Sequence, residues 1–339
     1  MRTPQHLFVD GQDREGAAGK RMTLTNPATE KPFAEVACAE ISDLDRAVES
    51  AHRVFMKEWR DLAPGNRARI LFDIATHIRQ NAETIAQLEC QEIGKPVSDG
   101  RDEAELGARI FEYYAGAIGK FCGHTIPVAR GGFDFTVREP LGVIAAIVPW
   151  NFPFPIACWK VAPALAAGNT VVLKPASLSP LTALLLGQIT AEAGLPPGTL
   201  QVLTGSGSEL GEALTRHPKV RKISFTGSTS VGARIMAGAA PEMKRVSLEL
   251  GGKSPNIVFA DSDWEDAADR SPLSVFANTG QDCCARSRVF VERRIFGAFL
   301  DRFLQATRAL VVGDPQRTET QLGPMVSAEQ RERVERYLF

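Results

Sequence analysis

Apolar residues recur at three- and four-residue spacings through the first third of the chain, which is the period of a helix with one buried face. The spacing predicts amphipathic helices beginning at about Asp43, over about 67–92 and over about 102–121. Residues 7–40 contain shorter runs separated by turn signals, which predict strands. Phe133–Arg138 alternates apolar and polar side chains, which predicts a protruding arm or hairpin.

After Pro140 the pattern changes to short apolar runs alternating with helical segments. The predicted strands are Gly142–Val148, Thr170–Leu173, Leu200–Leu203, Lys222–Phe225 and Val246–Leu250, with helices near 154–167, 181–194, 208–216 and 230–239. This alternation is typical of βαβ units and predicts a parallel sheet covered on both faces. Such sheets bind ligands at the carboxyl ends of their strands.

A second α/β unit is predicted to begin at Ser254–Phe259. The spacing predicts one helix opening at Asp261, a strand over Val289–Val291 and another helix over Phe296–Leu310. The chain reaches Phe339 within a helical pattern.

Composition narrows the function classes. The 339 residues, 44% hydrophobic and 23% charged, can bury sizeable cores and predict two domains. The 39 cationic and 40 anionic residues give a formal charge of −1, which argues against a nucleic-acid partner. We find neither a secretory signal nor a run long enough to span a bilayer, so we expect a cytoplasmic protein with no membrane partner.

Six cysteines in a chain of this length do not form the pattern of a disulfide framework, and no Cys/His spacing predicts a metal site. Two of them, Cys283 and Cys284, follow a Gly-containing turn. Arg286 and Arg288 lie close by in the sequence, and an electropositive setting favours the reactive thiolate. The alternative is that both cysteines are small apolar fillers, which this segment alone favours.

Three polar residues end predicted strands and are candidates for chemistry. The Asn151 amide could donate to a developing oxyanion, or serve as a turn residue. Lys174 is placed where a ligand crevice would lie, or is a solvated lysine before a Pro turn. Glu249, between Leu248 and Leu250, should be partly desolvated, which raises a carboxyl pKa towards that of a general base. Otherwise it faces water.

Two glycine-rich segments compete as phosphate-binding loops. We interpret Gly205–Gly211 as a loop and helix start, because it misses the dinucleotide fingerprint by one residue. Phe225–Gly232 follows a strand and opens a helix, so its N–H groups and Ser228 could face a pyrophosphate. An ordinary N-cap explains the same residues equally well.

Taken together, five segments resemble the NAD(P)-dependent aldehyde dehydrogenase superfamily in order and spacing. They are Pro149–Pro153, Lys174–Ala176, Phe225–Thr229, Leu248–Pro255 and Gly280–Ala285 with Ser287–Arg288. Asn26–Thr29 and Glu92–Pro96 also look like the family's N-terminal pattern. The resemblance covers essentially the whole chain. It implies an α/β fold, with a Rossmann-type parallel sheet for the cofactor and a second α/β catalytic domain.

With this resemblance we predict a dinucleotide-binding domain over 1–126 and 140–250, an oligomerisation arm over 127–139, and a partial catalytic domain over 251–339. The family forms homodimers or homotetramers through the arm and a C-terminal strand. Its pattern continues past Phe339, so a complete protein of this length would expose apolar surface and have weak or no activity.

The resemblance implies a catalytic role for three residues. Cys283 matches the nucleophile, with Cys284 as its neighbour, Asn151 matches the oxyanion donor, and Glu249 matches the general base. The implied reaction converts a small aldehyde to a carboxylic acid through a Cys283 thiohemiacetal, hydride transfer to the nicotinamide, and hydrolysis of a thioester. Glu249 favours hydrolysis over transfer to coenzyme A. A truncated, non-catalytic homologue that binds nucleotide or associates with intact subunits is the competing hypothesis.

The resemblance also implies a cofactor site for NAD, with Lys174 and Ser177 on the adenosine ribose and Gly227 and Ser228 at the pyrophosphate. The full predicted cofactor set is Pro149, Trp150, Lys174, Ser177, Gly227, Ser228 and Leu250. Many NAD-preferring relatives have Glu at the position of Ser177, so we expect NADP to be tolerated alongside NAD. The predicted substrate pocket is Phe152, Ile156, Trp159, Ala277 and Cys284, which favours an apolar or amino-aldehyde tail.

Overall fold

The structure is a computed structural model and describes residues 3–338. Phe339, the last residue of the predicted catalytic segment, lies outside that range, as do the first two residues of the predicted dinucleotide domain. The described strands are β1 Leu7–Val9, β2 Gln12–Arg14, β3 Arg21–Asn26, β4 Lys31–Ala37, β5 Thr125–Ile126, β6 Asp134–Phe135, β7 Val143–Ile147, β8 Thr170–Lys174, β9 Leu200–Val202, β10 Val220–Thr226, β11 Arg245–Glu249, β12 Pro255–Val258 and β13 Arg288–Val291.

The α-helices of the described range are α1 Ile41–Val54, α2 Pro64–Gln80, α3 Ala82–Ile93, α4 Val97–Ala117, α5 Pro153–Ala166, α6 Leu181–Glu192, α7 Gly207–Arg216, α8 Thr229–Ala239, α9 Trp264–Phe276, α10 Phe296–Arg308 and α11 Ala328–Glu335. None of them combines the length and apolarity of a membrane-spanning segment.

A seven-stranded sheet in the order β11-β10-β7-β8-β9-β1-β2 forms the centre of the fold. Strands β7 to β11 pair in parallel, whereas β1 and β2 form an antiparallel edge. Every residue of β7 and β8 is buried, as expected of strands covered on both faces. The predicted parallel sheet is therefore confirmed. The chain runs from β7 outwards to β9, then returns to place β10 on the other side of β7.

Two hydrophobic cores lie on opposite faces of this sheet. One contains buried residues of α2 to α6, including Leu71, Phe154 and Leu181. The other contains residues of α1, α7 and α8, including Leu44 and Leu210. Alternating side chains of each central strand supply both cores, so the sheet is fixed from both sides.

The predicted helix boundaries need three corrections. The stretch 67–92 forms two helices, because Asn81 leaves helical geometry with φ −102° and ψ 10°. The helix expected over 102–121 begins at Val97, because Pro96 is its N-cap and lies outside helical geometry with ψ 136°. The helix expected at Asp261 begins at Trp264, because the Asp263 carboxylate accepts from the Asp266 N–H and caps it.

The predicted arm is a short antiparallel hairpin of β5 and β6. Only Asp134–Phe135 of the predicted Phe133–Arg138 strand pairs, opposite Thr125–Ile126. Phe133 is 76% exposed and Val137 67% exposed. The hairpin therefore presents apolar side chains to solvent, and the division into domains stays a prediction.

A second, smaller sheet consists of β12 and β13, which pair in parallel. Helices α9 and α10 pack beside it, and the buried core of this region contains Val258, Ala268 and Phe299. Ile257 is 60% exposed and Phe290 51% exposed. The predicted second α/β unit is present, but its sheet is largely open to solvent.

Candidate active site

A cavity of about 980 Å³ lies at the carboxyl ends of β7, β8 and β10, between α7 and α8. Strand order reverses between β7 and β10, and this reversal opens the crevice in which parallel sheets bind ligands. Six of the seven predicted cofactor residues line the cavity: Pro149, Trp150, Lys174, Ser177, Gly227 and Ser228. The seventh, Leu250, packs against α8 instead, since a Cβ at Gly232 would lie 2.9 Å from Leu250 Cδ2.

Lys174 is the last residue of β8 and is only 2% exposed, which excludes the solvated-lysine alternative. Its Nζ donates to the Pro175 carbonyl at 2.8 Å, and burial lowers its pKa to about 8. Ser177 is half-buried and its Oγ donates to the Gly205 carbonyl at 2.9 Å. The loop after β8 therefore presents an amine and a hydroxyl in fixed positions at the cavity wall.

A short turn of two residues, Gly227 and Ser228, connects β10 to α8. Ser228 is the N-cap and its Oγ accepts from the Val231 N–H at 3.4 Å, so the N-cap interpretation is confirmed. Gly227 donates its N–H to the Glu249 carbonyl at 3.1 Å. A Cβ at Gly227 would lie 2.5 Å from the Phe225 ring, so no side chain fits there. The start of α8 consequently lies against the cavity without an intervening side chain at Gly227.

The other glycine-rich segment, Gly205–Gly211, is the loop and helix start that we predicted, because α7 begins at Gly207. Charged residues of α7 and α8 were missed as cavity residues by sequence reasoning: Glu212, Arg216 and Arg234. The sequence pattern of α7 and α8 predicts only packing helices. The position of the two helices beside the sheet brings these charged side chains to the cavity.

The predicted nucleophile lies in a loop that is hydrogen-bonded to Asn151. The Asn151 Nδ2 donates to the Gln281 carbonyl at 2.8 Å, and the Asn278 Nδ2 donates to the Asn151 carbonyl at 2.9 Å. Asn278 and Thr279 have φ of 50° and 58°, an unfavourable region for a β-branched residue. The structure therefore brings Asn151 and the cysteine loop together, and holds that loop in a strained conformation.

Cys283 itself differs from the prediction. Its thiol is half-buried, with Sγ 3.7 Å from the Cys284 Sγ. Burial first, then the neighbouring Cys284 and Asp282, raise the pKa of Cys283 to about 11. Arg288 is turned away and donates to the Lys253 carbonyl at 2.7 Å. No arginine of the described range is among the groups that shift this pKa, so the expected electropositive activation is wrong for this structure.

Asp282, Cys283 and Cys284 also form a group whose ligand-type atoms lie within 4.8 Å of one another. The three residues are consecutive, so their proximity follows from the chain itself. The group supports no metal assignment.

Glu249 ends β11 and is exposed, so the predicted partial desolvation is wrong for this structure. The following segment approaches the cysteine, since a Cβ at Gly252 would lie 3.4 Å from the Cys283 carbonyl oxygen. Burial lowers the pKa of Lys160 to about 8. The Glu249 charge acts in the opposite direction and raises this pKa, but burial has the larger effect. The Lys160 Nζ donates to Ser224 Oγ at 3.1 Å. Sequence reasoning missed Lys160, although it is the charged residue of an otherwise apolar helix.

The predicted substrate residues do not line the large cavity. Ile156 is 8% exposed and Trp159 49% exposed, whereas Ala277 and Cys284 are exposed and Phe152 is half-buried. Phe152 lies under the Lys95 Nζ, 4.4 Å from the ring centroid. These residues surround the Asn151 and Cys283 loops in sequence, and their role as a pocket stays a prediction.

Comparison with known proteins assigns the chain to a family. The model of the aldehyde dehydrogenase family matches residues 14–338. A putative aldehyde dehydrogenase-like protein of Schizosaccharomyces pombe is 42% identical over 338 residues, covering 99% of this chain and 67% of that protein. The putative aldehyde dehydrogenase DhaS of Bacillus subtilis is 41% identical, over 98% of this chain and 68% of its own length.

Solved structures agree with this result. The aldehyde dehydrogenase KauB from Pseudomonas aeruginosa superposes with a TM-score of 0.98 at 38% identity, covering 100% of this chain and 69% of KauB. An indole-3-acetaldehyde dehydrogenase in complex with NAD⁺ gives 0.97 at 40% identity, with the same coverage. The chain belongs to the aldehyde dehydrogenase family, whose members are NAD(P)-dependent oxidoreductases acting on aldehydes. The predicted family and fold class are confirmed.

Proposed function

We propose that this chain oxidises an aldehyde to the carboxylic acid, with Cys283 as nucleophile, Asn151 as oxyanion donor and Glu249 as general base. The observation that carries the proposal is the direct hydrogen bonding between Asn151 and the cysteine loop, beside a cavity at the strand-order reversal. Membership of the family supports the reaction class.

The cavity residues fit a dinucleotide. The buried Lys174 at the end of β8 and Ser177 in the following loop both line the cavity, and the Gly227 turn brings no side chain between the cavity and the start of α8, where a phosphate would bind. Lys174 and Ser177 would hold the ribose, and Gly227 and Ser228 the pyrophosphate, with Pro149 and Trp150 beside them in the cavity wall. NAD(P) bound there supplies the hydride acceptor.

The chemistry of the chain's own residues follows from their surroundings. Attack on the aldehyde carbon requires the Cys283 thiolate, and a pKa of about 11 means that a base must take the proton. Glu249 is the candidate base, because the segment that follows it lies against Cys283. One N–H of the Asn151 amide is bonded to the Gln281 carbonyl, and the second N–H is available to the oxyanion of the thiohemiacetal.

Water then releases the acid from the Cys283 thioester, and the sulfur leaves as the thiolate. Glu249, which is exposed and returns its first proton to solvent, accepts the proton of the attacking water. This carboxylate supports hydrolysis over acyl transfer to coenzyme A, which is the alternative outcome. Ser177 places no negative charge at the ribose, so NADP is accepted alongside NAD. The substrate is a small aldehyde, with Phe152, Ile156, Trp159, Ala277 and Cys284 contacting its tail.

A homo-oligomer in the cytoplasm completes the proposal. The hairpin of β5 and β6 exposes Phe133 and Val137, which supports its use in subunit contacts. All six cysteines are free thiols, which supports a reducing compartment.

The test is an aldehyde-dependent NAD(P)H absorbance assay on the 339-residue chain and its Cys283→Ser variant, with NAD binding measured by calorimetry in parallel. We expect Cys283→Ser to lower the rate by about 10³-fold or more, since the nucleophile is removed, while NAD binding is retained. A Cys122→Ser variant, which removes an exposed thiol elsewhere, should keep the rate.

Equal rates for the unsubstituted chain and Cys283→Ser would refute the thiol mechanism. Binding of NAD without turnover by either protein would favour the non-catalytic alternative.

A further inference from the structure

Helix α3 places two buried carboxyl groups at the starts of two other helices. The Glu89 Oε1 accepts from the Phe154 N–H of α5 at 3.0 Å, and the Glu92 Oε1 accepts from the Leu181 N–H of α6 at 2.7 Å. Glu89 is 0% exposed and Glu92 1% exposed. Residues three apart share one face of a helix, so a single face of α3 reaches both helix starts.

Both helix starts lack a cap of their own. The N-cap residues, Phe152 for α5 and Pro180 for α6, form no side-chain cap, and neither helix has an acidic residue in its first turn. The first N–H groups of a helix have no partner within it, and buried N–H groups require one. Glu89 and Glu92 therefore act as N-caps supplied from another helix.

The two helices begin directly after the loops of the candidate site. Asn151 precedes the start of α5 by two residues, and its amide is bonded to the cysteine loop through the Gln281 carbonyl. The loop from Lys174 to Pro180 precedes α6, and it contains Ser177 at the cavity wall. Each carboxyl group of α3 is thus one hydrogen bond away from the helix that fixes one loop.

The two carboxyl groups differ in their electrostatic surroundings. The Glu89 Oε2 accepts from the Lys95 Nζ at 3.0 Å, and Lys95 is also paired with Glu103 of α4. Glu92 has no cation beside it, and its Oε2 has no partner within residues 3–338. Burial raises the pKa of Glu92 well above its ordinary value, and the Leu181 N–H that Glu92 accepts lowers it.

We propose that Glu89 and Glu92 are positioning residues with separate targets: Glu89 fixes Asn151 and the cysteine loop, and Glu92 fixes the cofactor loop after β8. The proposal rests on the site residues assigned under the proposed function. It predicts that the two residues, one helical turn apart, affect two different properties of the protein.

The first property is the reactivity of Cys283, measured as its alkylation rate with iodoacetamide, with Cys283 and Cys284 separated by fragmentation mass spectrometry. In Glu89→Gln a single amide oxygen must serve both Phe154 N–H and Lys95, so the start of α5 loosens. Burial suppresses the Cys283 thiolate, and a loosened loop should therefore raise the alkylation rate by about three- to tenfold. Glu103→Gln is the matched control, because Glu103 also pairs with Lys95 but, within residues 3–338, accepts no hydrogen bond from a backbone N–H of α5.

The second property is NAD affinity, measured by calorimetry. Glu92→Leu removes the acceptor of the Leu181 N–H, and loss of one buried hydrogen bond should weaken NAD binding by about tenfold. Glu92→Gln keeps an acceptor oxygen in a side chain of the same length and should keep the affinity within about twofold. Glu89→Gln should leave NAD affinity unchanged, and Glu92→Leu should leave Cys283 alkylation unchanged.

The crossed pattern distinguishes positioning from general destabilisation, which would move both readouts in both variants. Equal effects of Glu89→Gln and Glu103→Gln, or equal losses in Glu92→Gln and Glu92→Leu, would overturn the proposal. If Glu92→Leu does not fold, Glu92→Ser takes its place, since the shorter side chain also withdraws the acceptor. Failure of the unsubstituted chain to bind NAD would instead refute the proposed cofactor site, and the role of Glu92 with it.

Discussion

The two sheets that carry residues of the candidate site differ in burial. The sheet around β7 and β8 is buried, whereas the sheet of β12 and β13 is largely exposed. Every residue of β7 and β8 is buried between two hydrophobic cores. In β12 and β13 only Val258 is buried, and the local core contains three residues. The cofactor loops thus follow rigid strands, whereas the cysteine loop follows α9 in an open region.

The cofactor loops and the cysteine loop are held in place by different contacts. The loops after β7 and β8 are held by the strands before them and by capped helices after them. The cysteine loop depends on hydrogen bonds to Asn151 and on the Gln281 side chain, whose Oε1 accepts from the Val326 N–H at 3.0 Å. Local opening is therefore expected in the second region before the first.

We expect the largest effect on the free energy of unfolding when one apolar side chain is truncated in each sheet. Leu173→Ala in β8 removes a fully buried side chain and should lower the free energy of unfolding by about 2–5 kcal/mol. Phe290→Ala in β13, where the ring is 51% exposed, should cost about 1 kcal/mol or less. Urea unfolding followed by circular dichroism measures both. Similar losses would show that the two sheets contribute equally to stability.

The second prediction concerns the pH dependence of Cys283 alkylation in the exposed region. With a pKa of about 11, its thiolate fraction should rise tenfold per pH unit between pH 7 and 10, and at pH 8 it should be alkylated about 10²-fold more slowly than a free cysteine. Cys284→Ala removes a neighbour that raises this pKa, so alkylation at pH 8 should become faster. Cys122→Ala removes an exposed thiol elsewhere and serves as control. A rate that levels off near pH 8.5 would contradict the raised pKa.

The smallest expected effect concerns cofactor affinity at Ser177, in the loop after β8. Ser177→Glu introduces a carboxylate at the cavity wall and should weaken NADP binding by about tenfold or more, because like charges repel the 2′-phosphate. NAD affinity should stay within about twofold. Ser177→Gln has a similar size without the charge and should leave NADP binding largely intact. Calorimetric titration with both cofactors gives the answer, and equal weakening of both by Ser177→Glu would indicate a steric effect.

Much of the fold could be predicted from the sequence because local patterns follow from local physics. Buried parallel strands need uninterrupted apolar runs, so Val143–Ile147 and Thr170–Lys174 were recognisable. Residues at strand ends, such as Asn151 and Lys174, could be singled out for the same reason. Helix boundaries at Asn81, Val97 and Trp264 were less predictable, because single capping residues decide them.

The electrostatic state of the site could not be predicted in this way. Arg286 and Arg288 are close to Cys283 in sequence, yet burial and Cys284 dominate its pKa. Glu249 lies between two leucines but is exposed. Glu89 and Glu92 carry no sequence signal for accepting from helix N–H groups 65 and 89 residues later.

Spacing along the chain was enough to predict the order of strands and helices, the family and the residues with reactive side chains. Only the tertiary structure decided which of those side chains are buried, which donors meet which acceptors, and where strand order reverses to open a cavity. The physical reason is that solvent exclusion and hydrogen-bond partners are set by residues distant in sequence, which no local pattern encodes.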